Sequence, residues 1–140
     1  MDELQLTQRI IGCAIEVHHQ LGPGLLESPY HAALAIEFAH AQLRSEHQRS
    51  FPIEYRGVKI GDFIPDFIIE DQIVIEVKCA LKYEQVFTAQ ILTYLRVTRL
   101  EVGLILNFSR ALMKDGIHRF TLYKKNEEQE PTAATQDWPS

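Results

Sequence analysis

Residues 64–79 read IPDFIIEDQIVIEVKC, two β-branched apolar runs joined by the polar triplet Glu70-Asp71-Gln72. That pattern suits two short strands with at least one buried face, joined by a tight turn. The same stretch nevertheless carries Asp66, Glu76 and Lys78, and ionised groups are seldom fully buried unless paired, neutralised or bound to a metal. Strand alternation sends Ile73, Ile75, Val77 and Cys79 to one face and Val74, Glu76 and Lys78 to the other. One face is core and the other is chemical. If Glu70-Asp71-Gln72 forms a three-residue hairpin loop, Ile69 pairs with Ile73 and Asp66 falls directly opposite Glu76. A two-residue loop would pair Asp66 with Ile75 or Val77 instead and send the two carboxylates to opposite faces.

The rest of the chain supplies helices to cover such a sheet. Apolar residues at helical spacing predict a helix over 4–20, stopped by Gly22, Pro23 and Gly24. A second helix is expected within 25–43, with Pro29 acceptable only near its first turn. Strands are expected near 47–55, 58–69 and 73–79, a third helix over 83–98, and two final strands in EVGLILNF and GIHRFTLYK. The order is therefore α-α-β-β-β-α-β-β, an α/β chain in which an antiparallel meander precedes the third helix.

A chain of 140 residues with 46% apolar content fits one domain with its own core. Net charge is −5, but residues 125–140 hold four acids and one base, which leaves a nearly neutral body of 13 bases and 15 acids. A strong non-specific nucleic-acid binder needs many phosphate contacts from Lys and Arg, so affinity for nucleic acid should be modest or metal-assisted. Lys82, Arg96, Arg99 and Lys114 are scattered bases that usually solvate a surface. The polar segment 125–140, with Pro131 and Pro139, is expected to be a disordered acidic tail in which Trp138 stands out as an unexplained apolar residue. Two cysteines, Cys13 and Cys79, are too few for a disulfide framework and form no CxxC pair. No uncharged apolar run reaches 18 residues, and the acidic start MDELQLTQRI is unlike a signal peptide, so the expected location is cytoplasmic with no membrane span.

Two neighbouring carboxylates on a partly enclosed surface repel, and one pKa rises unless a cation relieves the conflict. Mg²⁺ or Mn²⁺ suits an incomplete cage of one or two carboxylates completed by water and phosphate oxygens. Lys78, two residues from Glu76, adds a mobile positive charge that could orient a water or stabilise charge developing on a phosphate. The alternative is a solvated face of weak surface ion pairs.

The ordered motifs resemble a known family. Asp66 in PD and Glu76 and Lys78 in EVK resemble the signature of the PD-(D/E)xK nuclease superfamily, and GLLESPY resembles the GxxExxY motif that names one of its bacterial families, through Gly24, Glu27 and Tyr30. GPGLLES, QILTYL, LILNF and KDGIHR add to a resemblance that spans roughly residues 4–123. It implies a restriction-endonuclease-like fold, a mixed central sheet flanked by helices, in a domain of residues 1–124. It implies that Asp66 and Glu76 ligate a metal together with Val77 and Glu27, that Lys78 is the catalytic lysine, and that Gln90, four before Tyr94, helps set the site as in RecB-like nucleases. Against these stand the bland roles: Glu27 as an acid near a helix N-terminus, Gln90 and Tyr94 as core or surface residues, Tyr30 as a packed tyrosine. His31, four after Glu27, could face the site or the helix surface. The expected function is metal-dependent hydrolysis of phosphodiester bonds in DNA. The alternative is a non-cleaving nucleic-acid-binding or regulatory module that keeps the fold, and a second copy or a protein partner is left open.

Overall fold

The Gly22-Pro23-Gly24 break separates two helices in the computed structural model, which describes residues 1–123, 132–134 and 138–139. Helix α1 (Glu3–Leu21) starts from a capping box in which Asp2 accepts from the Gln5 backbone N–H and the Gln5 side chain accepts from that of Asp2. Between the helices Gly22 and Gly24 take φ of +67° and +109°, a region that residues with a Cβ rarely enter. Helix α2 (Glu27–His40) follows, with Pro29 in its first turn, where a missing N–H costs nothing. Helix α3 (Gln85–Thr98) comes between the two central strands. None of the described helices is long and apolar enough to cross a membrane.

Among the described residues eight strands make two sheets: β1 (Ser45–Glu46), β2 (Phe51–Tyr55), β3 (Val58–Phe63), β4 (Phe67–Ile69), β5 (Ile73–Lys78), β6 (Val102–Asn107), β7 (Ile117–Thr121) and β8 (Thr132–Ala134). The main sheet runs β1-β4-β5-β6-β7-β8, and β2-β3 is a separate hairpin. Strands β5 and β6 are parallel, with α3 as their crossover, and the other pairs are antiparallel. The central sheet is therefore mixed and flanked by helices, as expected. One face packs Phe67, Ile69, Ile73, Ile75, Val77, Leu104 and Leu106 against α1 and α2. The other packs Ile68, Val74, Ile105 and Phe120 against Ile91 and Leu95 of α3.

One expectation needs revision. The strand expected over 58–69 is two strands in different sheets, broken at Ile64-Pro65-Asp66, because Pro65 has no N–H to give a ladder. The meander thus becomes a hairpin leaning on α3, with Phe63 stacked on Tyr94 at a ring-centroid distance of 3.8 Å, and a two-residue β1 pairs with β4 in its place. Of the segment expected to be an acidic tail, most lies outside the described residues. Where it is described, β8 pairs with β7 and Trp138 is buried against the core on the α1 and α2 side.

Candidate active site

The β4-β5 hairpin pairs Ile69 with Ile73, Ile68 with Val74 and Phe67 with Ile75, the register of a three-residue loop. Glu70 and Asp71 make that turn with φ of +52° and +54°, and the Gln72 N–H closes it on the Ile69 carbonyl at 2.9 Å. Asp66 therefore comes next to Glu76. The ladder stops at Phe67, and the Asp66 side chain takes over where a strand partner is missing. Its Oδ2 accepts the Val77 N–H at 2.7 Å, while its own N–H points to Glu76 Oε1 at 3.4 Å. Burial first, and the neighbouring Asp66 charge second, push the Glu76 carboxyl up to about 8.

On the α3 side the lysine is held in place. Lys78 Nζ donates to Gln90 Oε1 at 3.4 Å and sits 4.9 Å from the centre of the Phe87 ring, within cation–π range. Half-buried Tyr94 completes this wall; its hydroxyl pKa is raised by burial and then by the charges of Glu76 and Asp66. Beyond the strand, Asn107 clamps the outgoing chain, accepting from the Ala80 N–H at 3.0 Å and donating to the Ala80 carbonyl at 2.9 Å. Because Asn107 pairs in register with Lys78, this clamp sets where β5 ends.

On the α2 side lies an open cleft of about 410 Å³ lined by Glu27, Ser28, His31, Ala32, Asp66 and Val77. Tyr30 explains the spacing of the loop that leads into it. Its ring is fully buried and stacked on Phe108 at 4.5 Å, and its hydroxyl donates to the Gly22 carbonyl at 2.5 Å and accepts the Leu25 N–H at 3.2 Å. The loop that positions Glu27 is thus anchored by a residue three places further on.

The candidates divide into two groups joined by Asp66. Glu76, Lys78 and Gln90 belong to the α3 side, and Glu27, His31 and Val77 to the α2 side. Among the described residues no three His, Cys, Asp or Glu side chains come close enough together to hold one metal ion, so Glu27, Asp66 and Glu76 do not form a three-acid cage. Asp66 and Glu76 still suit a divalent cation: one Asp66 oxygen is free of the Val77 contact, and burial and the Asp66 charge outweigh what the Asp66 N–H and the Lys78 charge do to stabilise ionised Glu76. Sequence reasoning missed Phe87 and Asn107. Phe87 lies three before Gln90 on the same helical face, a signal that was present; nothing in the local pattern marks Asn107, whose role depends on β6 lying beside β5.

A family model described as the PD-(D/E)XK nuclease superfamily matches residues 4–120. Neither the curated proteins nor the solved structures give a match.

Proposed function

The chain belongs to the PD-(D/E)XK nuclease superfamily, and on that premise we propose that it is a metal-dependent nuclease that hydrolyses phosphodiester bonds in DNA. The observation that supports this most is the convergence of Asp66, Glu76 and a tethered Lys78 at the end of one strand. Within the superfamily we place it in the GxxExxY family, on Gly24, Glu27 and Tyr30 and on the loop anchorage that Tyr30 supplies. Two free thiols, Cys13 and Cys79, accord with a cytoplasmic protein.

Asp66 and Glu76 would hold Mg²⁺ or Mn²⁺, with Val77 beside them and Glu27 across the cleft. When bound, the ion supplies Lewis-acid polarisation of the scissile phosphate and a lowered pKa for water in the site. Glu76 must give up its proton to act as a ligand, so uptake of the ion should release protons below about pH 8. Lys78, fixed by Gln90 and Phe87, keeps a positive charge where negative charge builds on the phosphate. Gln90 acts through Lys78 and orients it.

The test is cleavage of linear, circular, single-stranded and branched nucleic acids with Mg²⁺ or Mn²⁺. Wild type should cut, and Glu76→Ala and Lys78→Ala should each lose about a hundredfold or more while remaining folded. Equal residual cutting by wild type and Glu76→Ala would assign the activity to a contaminant and favour a non-cleaving module.

A further inference from the structure

His31 has no part in the chemistry above, yet it makes the side-chain hydrogen bond that ties the α2 half of the site to the Asp66 segment. Its Nε2 lies 3.1 Å from the Asp66 carbonyl oxygen. A carbonyl can only accept, so Nε2 carries the hydrogen. The imidazole lies nearly flat on the Phe67 ring, with centroids 4.2 Å apart and planes 20° from parallel, and Phe67 is fully buried. The donor is therefore aimed by a rigid support. Glu27 stands one helical turn before His31 on α2, and both side chains line the cleft with Asp66.

What this bond restrains is a peptide that strand pairing leaves outside the ladder. Pro65 interrupts the sheet and regular pairing starts at Phe67, so Asp66 is held by its own polar groups: side chain to the Val77 N–H, N–H toward Glu76, carbonyl to His31. Two of these contacts go to β5 and the third goes to α2. We propose that His31 is a positioning residue that sets Asp66 against Glu27 and thereby controls the affinity of the site for its divalent cation. The inference rests on Asp66 and Glu76 holding that cation. Partners of ligating residues typically change metal affinity 10–100-fold when removed, although the ligands themselves stay in place.

The experiment compares the full chain as wild type, His31→Phe, His31→Gln and Glu76→Gln. His31→Phe keeps an aromatic ring on Phe67 but removes the donor, whereas His31→Gln keeps a donor of similar reach without the ring. Should His31→Phe not fold, His31→Met replaces it as the donor-free variant with a contact to the Phe67 ring. Calorimetric titration with Mn²⁺ should show affinity about tenfold or more weaker in His31→Phe and largely restored in His31→Gln. In chelator, the Val77 amide resonance, which reports the bond to Asp66 Oδ2, should move in His31→Phe and stay near wild type in His31→Gln. Wild-type affinity together with an unmoved Val77 amide in His31→Phe overturns the inference, as does an equal loss in both His31 variants, which would show that the donated hydrogen does not suffice; a loss in His31→Gln alone would make the ring responsible and overturn it too. If wild type and Glu76→Gln take up Mn²⁺ alike, the cation site itself is wrong and the affinity claim falls with it; the metal-free Val77 amide then still decides whether His31 positions Asp66.

Discussion

Strand β5 presents two faces that differ in what they can tolerate. On the α1 and α2 side Ile73, Ile75 and Val77 are 0%, 0% and 2% exposed, an unbroken apolar row. On the α3 side Val74 is equally buried, but Glu76 and Lys78 follow it. Helix α3 mirrors the change: Ile91 and Leu95 cover the apolar part of the sheet, and Phe87, Gln90 and Tyr94 meet the charged part. The first face anchors the strand, so the second can carry a carboxylate held near pH 8 without losing the strand. Stability and the proposed chemistry are thus separated across a single extended segment.

The largest effect that could break this division is a cavity on the anchoring face. Ile75→Ala should lower unfolding free energy by about 2–5 kcal/mol in chemical denaturation. A loss below 1 kcal/mol would mean that the anchoring face contributes little.

The chemical face should reveal itself through pH. Glu76 has a pKa raised from 4.5 to about 8 in the folded protein, so between those values the folded state holds a proton that the unfolded state has released. Its contribution is fully present below pH 4.5 and is lost as pH rises toward 8. In chelator, stability should therefore fall across that window, by on the order of a few kcal/mol. Glu76→Gln should flatten the profile. An unchanged slope in this variant would place the pH dependence elsewhere.

Cation binding sharpens the comparison further. In chelator and above about pH 8, where Glu76 is ionised, Asp66→Asn should melt at or above wild type, because it relieves repulsion with Glu76. With Mn²⁺ at a hundredfold excess over Kd, wild type should gain about 2.7 kcal/mol and the mutant should lose most of that gain. Equal shifts in wild type, Asp66→Asn and Glu76→Gln would rule out a shared cation site.

The smallest effect concerns the lysine tether. Phe87→Leu keeps an apolar side chain but removes the ring beneath Lys78, a contact worth about 0.5–1 kcal/mol at a partly exposed position. Cleavage should slow about two- to fivefold, in line with that energy, with melting little changed. Unaltered cleavage would leave Gln90 as the sufficient tether.

Much of this arrangement is determined by the sequence itself. Period-two alternation separates Glu76 and Lys78 from Ile73, Ile75 and Val77, and a three-residue Glu70-Asp71-Gln72 turn carries Asp66 to Glu76. These are local consequences of pleat and turn length, which act over a few residues. Tyr30 could likewise be read as a packed residue with a satisfied hydroxyl, because an apolar helical position demands one. The tertiary structure alone decided the rest. The split at Pro65 gives 58–63 to a separate hairpin, the crossover through α3 puts Asn107 beside Lys78, and the packing of α2 on Phe67 brings His31 to the Asp66 carbonyl. Periodicity tells which face of an element is apolar, but not which distant element covers it or which polar group that element then brings into reach. Asp66 therefore meets Glu76 by register, and meets α2 only because the sheet and helix pack as they do.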